Sequence, residues 1–268
     1  VADDPYYRSA ADYDLRYGQG SNVDVAFWCA LRERLGARRV LELGCGTGRV
    51  TLPLARAGLA AGAQVVGLDL APAMLAGARA KLAAEPVAVQ AAVRLIEGDM
   101  RAYALDERFD LIIVPFNTLG HLHTIDDQLA CFMTARRHLA PGGRFAVEVT
   151  QYGLDELHQA VTQPDRYAVA GGVTDPASGE RLVRHRRRRY RRDSQTLEAH
   201  YLEEWLTAAG ALVTRTADLR LHVYFPRELE LLFRLAGYQV EAVYGDYAFG
   251  CFTAESHYLI VVGRAAVA

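Results

Sequence analysis

The stretch Val40-Leu41-Glu42-Leu43-Gly44-Cys45-Gly46-Thr47-Gly48-Arg49 constrains this chain more than any other. A short apolar run ends at three alternating glycines, and helical spacing follows from Gly48 to about Leu59. Glycines let the backbone turn tightly and approach a ligand with no Cβ in the way. The start of the helix offers N–H groups without intrahelical partners. Strand, glycine loop and helix in this order form the place where an open α/β sheet binds its ligand, outside the carboxyl ends of the strands.

The same rhythm continues to Thr150. QVVGLDL is a second apolar run ending in an acid, and PAMLAGARAKLAAE reads as a helix with Pro72 near its first turn. VRLIEGD, FDLIIVPF and GRFAVEVT are further runs, and IDDQLACFMTARRHLAPGG has helical spacing and is expected to stop at Pro-Gly-Gly. Strands alternating with helices predict a doubly wound, mostly parallel α/β sheet of Rossmann-like type. After Thr150 the alternation stops. LVRHRRRRYRR, TLEAHYLEEWLTAAG and ALVTRTADLRLHVY, separated by turn-like breaks, predict an antiparallel insertion after strand five. QPDRYAVAGGVTDPASGERL reads as the most loop-like stretch. The expected divisions are N-terminal helices over 1–38, a core over 39–150, the insertion over 151–224 and a return to the core sheet over 225–268.

A dinucleotide-binding dehydrogenase is the obvious competitor for a glycine loop. The spacing here is G-x-G-x-G rather than G-x-G-x-x-G. Glu42 precedes the first glycine by two residues, where a negative charge would oppose a pyrophosphate and suit a cationic ligand. Lys81 is the only lysine, and Gly77 stands four residues before it, so a Tyr-x-x-x-Lys pair is excluded.

With these residues in view, Glu42-Leu43-Gly44-Cys45-Gly46-Thr47-Gly48 resembles the first motif of class I S-adenosylmethionine-dependent methyltransferases. Asp69 in VVGLDLAPAML matches the acid that binds the cofactor ribose in that family. Glu97-Gly98-Asp99-Met100 matches the segment that sets an acid near the adenine amino group and an apolar residue on the ring. FDLIIVPFNTLGHL, with Pro115, matches the motif facing the methyl group, and Ala140-Pro141-Gly142-Gly143-Arg144 the turn before strand five. Five pieces in order span residues 39 to 150. The resemblance implies S-adenosylmethionine (SAM) as cofactor, held by Tyr17, Glu42, Gly44, Cys45, Gly46, Asp69, Leu70, Met74, Gly98, Asp99, Met100 and Pro115. Tyr13-Asp14-Leu15-Arg16-Tyr17-Gly18-Gln19-Gly20 resembles, more loosely, the N-terminal lid of the branch that methylates amino groups of nucleotide-linked sugars. That branch also carries an antiparallel insertion, and glycine and sarcosine N-methyltransferases have a related layout.

Methyl transfer from a sulfonium is an in-line displacement whose reactive bond belongs to the cofactor. The protein aligns the nucleophile, excludes water and, for an ammonium or hydroxyl acceptor, removes a proton. His121 and His123, just beyond strand four, are the candidate bases. The competing reading is that His121 bonds a loop carbonyl and His123 caps the next helix. Tyr13 and Tyr17 are candidates to close over the sulfonium, against ordinary packing of an N-terminal helix. No NPPY-like tetrapeptide follows strand four, and Cys131 does not follow a proline, which lowers amide and cytosine C5 chemistry.

Composition bounds the remaining choices. The 268 residues are 51% hydrophobic and 23% charged, with net charge −2, ordinary for a globular protein with a sizeable core. Four scattered cysteines contain no CxxC, so neither a zinc site nor a disulfide framework is expected. There is no signal-peptide core and no apolar run of membrane length, and the default is a cytoplasmic protein. The run Arg184-His185-Arg186-Arg187-Arg188-Arg189-Tyr190-Arg191-Arg192 invites an RNA reading. Read as a strand, it would pair with Glu198, Glu203 and Glu204 on the next one. A phosphate-bearing small substrate is a further reading, since Arg suits bidentate phosphate contact. The expectation is a SAM-dependent methyltransferase acting on a small molecule, first of all an amine such as an amino sugar, without nucleic acid or membrane partners. An RNA methyltransferase and a nicotinamide-dependent oxidoreductase are the alternatives, and a homodimer is left open.

Overall fold

The structure, a computed structural model, describes residues 5–17, 23–175 and 178–266. Gly18, Gln19 and Gly20 of the N-terminal motif lie outside the described residues, as do Pro176 and Ala177.

Helices α1 (Ala10–Tyr17) and α2 (Val23–Arg34) lead into β1 (Arg39–Leu43). The alternation then runs α3 (Thr51–Gly58), β2 (Gln64–Asp69), α4 (Pro72–Ala83), α5 (Val87–Ala92), β3 (Val93–Glu97), β4 (Phe109–Val114), α6 (Ile125–His138) and β5 (Leu139–Thr150). After α7 (Leu154–Thr162) come β6 (Ala168–Thr174), β7 (Arg181–Arg191), β8 (Thr196–Leu206) and β9 (Leu212–His222). Helix α8 (Pro226–Leu235), β10 (Tyr238–Tyr244) and β11 (Tyr258–Ala265) return to the core.

The central sheet has the order β10-β11-β5-β4-β1-β2-β3, with β5 through β3 parallel and β11 and β10 antiparallel at one side. The second sheet, β6-β7-β8-β9, is antiparallel throughout. Both layers of the central sheet are covered, and the strands divide their side chains with period two. Leu41, Leu43, Ile112, Val114, Phe145 and Val147 pack under α6 and α8, while Val40, Leu111, Ile113 and Ala146 pack under α2 and α3. Among the described residues, no helix is long and apolar enough to cross a membrane.

Three local differences from the sequence reading have physical causes. Helix α6 stops at His138, before Pro-Gly-Gly, because the residue preceding Pro141 is pushed away from helical backbone. The chain there joins β5, and a Cβ on Gly143 would sit 2.7 Å from the Phe109 carbonyl oxygen, so only glycine allows the approach. The stretch read as loop contains β6, whose glycines hid its pairing with β7. Helix α7, between β5 and that edge strand, has no counterpart in the sequence reading.

Candidate active site

A cavity of about 570 Å³ opens at the carboxyl ends of the parallel strands, between them, the N-terminal segment and the antiparallel sheet. Its floor is the glycine loop. Gly44 has φ +72°, and a Cβ there would lie 2.2 Å from Thr118 Cγ2, so the β1 and β4 loops meet only because this residue lacks one. The Gly44 and Cys45 amides donate to the Leu68 carbonyl at 2.7 and 3.0 Å, tying the loop to β2. Asp69, at the end of β2, accepts from the Gly46 amide at 2.7 Å and the Ala71 amide at 2.8 Å. Burial raises its carboxyl, and these backbone donors oppose the shift.

Of the residues expected to hold a cofactor, Tyr17, Gly44, Gly46, Asp69, Leu70 and Met74 line this cavity, as do Gly98, Asp99 and Met100 at the end of β3. Tyr13, His121 and His123 line it too. Three others stand off the wall. Glu42 is 2% exposed and accepts a hydrogen bond from the Thr51 hydroxyl beneath the loop. Burial pushes its carboxyl up to about 8, so the supposed negative charge is a neutral acid near pH 7. Cys45 is buried toward β2, against Gly67. Pro115 is buried behind the turn its carbonyl makes with the Thr118 amide.

The residues on the wall suit S-adenosylmethionine. Asp69 offers carboxylate oxygens for vicinal hydroxyls, Leu70, Met74 and Met100 offer apolar cover for a flat base, and Asp99 offers an acceptor at its rim. Asp99 is held ionised, its carboxyl drawn down by Arg101, which donates at 2.5–3.0 Å and also reaches Asp127 at 2.8 Å. This acid–arginine–acid chain was missed in the sequence because Asp127 lies on α6, far along the chain.

The N-terminal segment is docked on both sides. Asp14 accepts from the Thr47 hydroxyl at 2.6 Å and the Lys81 ammonium at 2.7 Å, and Ala10 packs against Gly77 of α4. Lys81 is therefore a tether. Arg16 makes a two-pronged contact with Glu203 of β8, both distances 2.7 Å, and Arg184 of β7 reaches the same carboxylate at 3.2 Å. Arg184 also donates to the Tyr6 hydroxyl at 3.0 Å, and Tyr6 and Tyr17 bond to each other. The rest of the arginine run is spread over two strand faces. Arg188 meets Glu156, Arg187 meets Asp165 and His185 meets Glu204 across the ladder, whereas Glu198 forms no ion pair with the run among the described residues.

Six further tyrosines line the cavity: Tyr6, Tyr7, Tyr152, Tyr201, Tyr247 and Tyr258. His121 Nε2 meets the Tyr7 hydroxyl at 2.8 Å, and burial pushes its imidazole down to about 4, with His123 adding to the shift. His123 is more exposed and is lowered by burial and then by Arg220. After β4, Phe116 and Asn117 both have left-handed backbone, φ 56° and 59°. Asn117 accepts from the Thr150 amide at 3.1 Å. The Phe116 amide donates at 3.1 Å to Glu148 of β5, a cavity carboxylate 1% exposed that sequence reading passed over as part of an apolar strand.

A family profile described as a methyltransferase domain matches residues 40–143. The cypemycin N-terminal methyltransferase of a Streptomyces species is 29% identical over 255 residues, covering 93% of each chain. The structure of the CcbJ methyltransferase from Streptomyces caelestis superposes with a TM-score of 0.79 at 29% identity, over 98% of this chain and 99% of that one. SAM-bound CalS10, an amino pentose methyltransferase from Micromonospora echinaspora, superposes with a TM-score of 0.71 at 26% identity, over 95% of both chains.

Proposed function

Because the chain is a class I S-adenosylmethionine-dependent methyltransferase related to sugar N-methyltransferases, we propose that it methylates an amine on a small molecule, an amino sugar being the first candidate. The observation that carries this reading is the number of tyrosines lining the cavity, together with an imidazole that is neutral at physiological pH. Aromatic faces attract an ammonium. The names of the cypemycin and CalS10 enzymes, an N-terminal and an amino pentose methyltransferase, point the same way.

When bound, the cofactor supplies an electrophilic methyl on sulfonium, whose bonding pair stays with sulfur. The chain does the rest. Asp69 would hold the ribose, Asp99 and Met100 the adenine, and the backbone around Gly44 and Gly46 the amino-acid end. Tyr13 and Tyr17, 5.0 Å apart, would cover the sulfonium side. His121, neutral and bonded to Tyr7, would orient the amine rather than deprotonate it, because an imidazole near 4 is a weak base at pH 7. Alignment and water exclusion then supply most of the rate.

The test is mass spectrometry of reactions with SAM and a panel of free amino sugars, nucleotide-linked amino sugars and short peptides with free N-termini. The expected result is a gain of one or two methyl groups on nitrogen in at least one amine. Turnover of hydroxyl acceptors alone would overturn the amine reading and leave the methyltransferase assignment standing.

A further inference from the structure

Glu148 is an unusual carboxylate for the wall of a reaction cavity. It lies on β5 beside β4 and lines the cavity, and its side chain is all but removed from bulk water. The Tyr247 hydroxyl donates to Oε1 at 2.7 Å and the Phe116 amide to Oε2 at 3.1 Å. Each carboxylate oxygen keeps room for another donor. No arginine, lysine or histidine among the described residues forms an ion pair with it. The nearby Arg49 is committed to Asp24 at 2.9 and 2.5 Å and stacks over Phe116, 4.4 Å from the ring centroid. A buried carboxylate with neutral donors and no counter-ion is costly, and an incoming cation would relieve that cost. Two consecutive residues with left-handed backbone, Phe116 and Asn117, stand where the Phe116 amide meets this group.

We propose that Glu148 is the anion that receives the acceptor's ammonium group and takes up its proton. The proton leaves the ammonium nitrogen for a Glu148 oxygen. The N–H bonding pair stays on nitrogen as the lone pair that forms the new N–C bond. The carboxyl is left neutral until its proton passes to solvent as product departs. Tyr247 and Tyr258, stacked 4.4 Å apart, wall the same corner. The groups that face Glu148 are Tyr247 from the β10–β11 connection, the Phe116 amide, Asp24 from α2 and Arg49 from the β1–α3 loop. Burial dominates over all of them and brings the carboxyl up to about 7, which makes it a better base than an ordinary glutamate.

This inference rests on the amine reading, so its test uses a probe that needs no acceptor. Sinefungin carries an ammonium where SAM carries its methyl, and S-adenosylhomocysteine carries nothing there. Calorimetry on the full chain should give sinefungin a tighter Kd than S-adenosylhomocysteine, with a margin that rises between pH 6 and pH 8 as Glu148 ionises. Glu148→Gln should cut that margin about ten-fold or more, flatten its pH dependence and leave S-adenosylhomocysteine binding intact. An unchanged margin in that variant overturns the proposal. Should Glu148→Gln fail to bind S-adenosylhomocysteine, Tyr247→Phe decides. Loss of the phenol donor should move the rise to higher pH, and a profile superimposable on wild type overturns the proposal. Methylated amines with a sinefungin margin indifferent to both variants would sink the Glu148 role alone. A Glu148-dependent margin with only hydroxyl acceptors turned over would sink the amine reading alone.

Discussion

The Tyr7 hydroxyl and the His121 imidazole meet at 2.8 Å across the cavity, one from the N-terminal segment and the other from the loop after β4. The contact ties the N-terminal segment to the loop after β4. Since burial pushes His121 down to about 4, His121→Ala should lower kcat by about ten-fold through lost alignment. It should leave the shape of the pH–rate profile above pH 6 unchanged. Steady-state rates from pH 6 to pH 9 check this, and loss of a neutral-pH limb in the variant would refute it.

His121 also makes the fold sensitive to acid. Its folded value lies below the ordinary histidine value near 6.5, so between about 6.5 and 4 the unfolded chain binds more protons than the native one. Stability from this group is complete above that window and is lost as pH falls through it. His121→Gln should reduce the loss of urea midpoint between pH 7 and pH 4.5.

Asp69 bonds two backbone amides as well as facing the cavity. Asp69→Ala should therefore weaken S-adenosylhomocysteine by about 1–3 kcal/mol and lower stability by a similar amount, because the Gly46 and Ala71 amides lose their acceptor. Calorimetry paired with denaturation separates the two losses. A binding defect with no stability change would contradict this double role.

Glu203 is 1% exposed and holds Arg16 and Arg184 together. Glu203→Ala would leave two guanidinium groups without their anion, at a cost of about 3–5 kcal/mol. The N-terminal segment should then become a preferred site of limited proteolysis. Protection equal to wild type would mean that α1 is held by its other contacts alone.

Arg184, Arg187, Arg188, Arg189 and Arg191 of the basic run each meet a carboxylate. Replacing Arg186 and Arg188 with glutamine should cost less than about 1 kcal/mol of stability and leave cofactor binding unchanged. Filter binding should detect no RNA affinity that falls with salt, the mark of counterion release. A steep salt dependence lost in the double variant would restore the RNA reading.

The parallel core was legible because its strands end in acids and glycines that interrupt uninterrupted apolar runs, as at Asp69 and Gly44. Glu42, expected at the cofactor, lies off the cavity wall. An acid beside a glycine loop looks like part of the ligand shell, but alternation along β1 turns it under the loop toward Thr51. Glu148 shows the converse failure. It sits inside FAVEVT, where sequence gives only a strand, and its meaning depends on Tyr247, ninety-nine positions away. Sheet β6–β9 was legible from β7 onward, whereas β6 carries two adjacent glycines and no alternating pattern.

The pairing of Lys81 with Asp14 turns the composition of the chain into an assay. The chain has one side-chain amine, and that amine is the clasp between α1 and α4. An amine-selective reagent will therefore modify a single side chain, at a rate lowered by the contact with Asp14. Cofactor loading should slow that modification if binding holds the N-terminal segment down. One mass-spectrometric peak can then follow the Lys81–Asp14 contact in real time, without an engineered probe and before any acceptor has been identified.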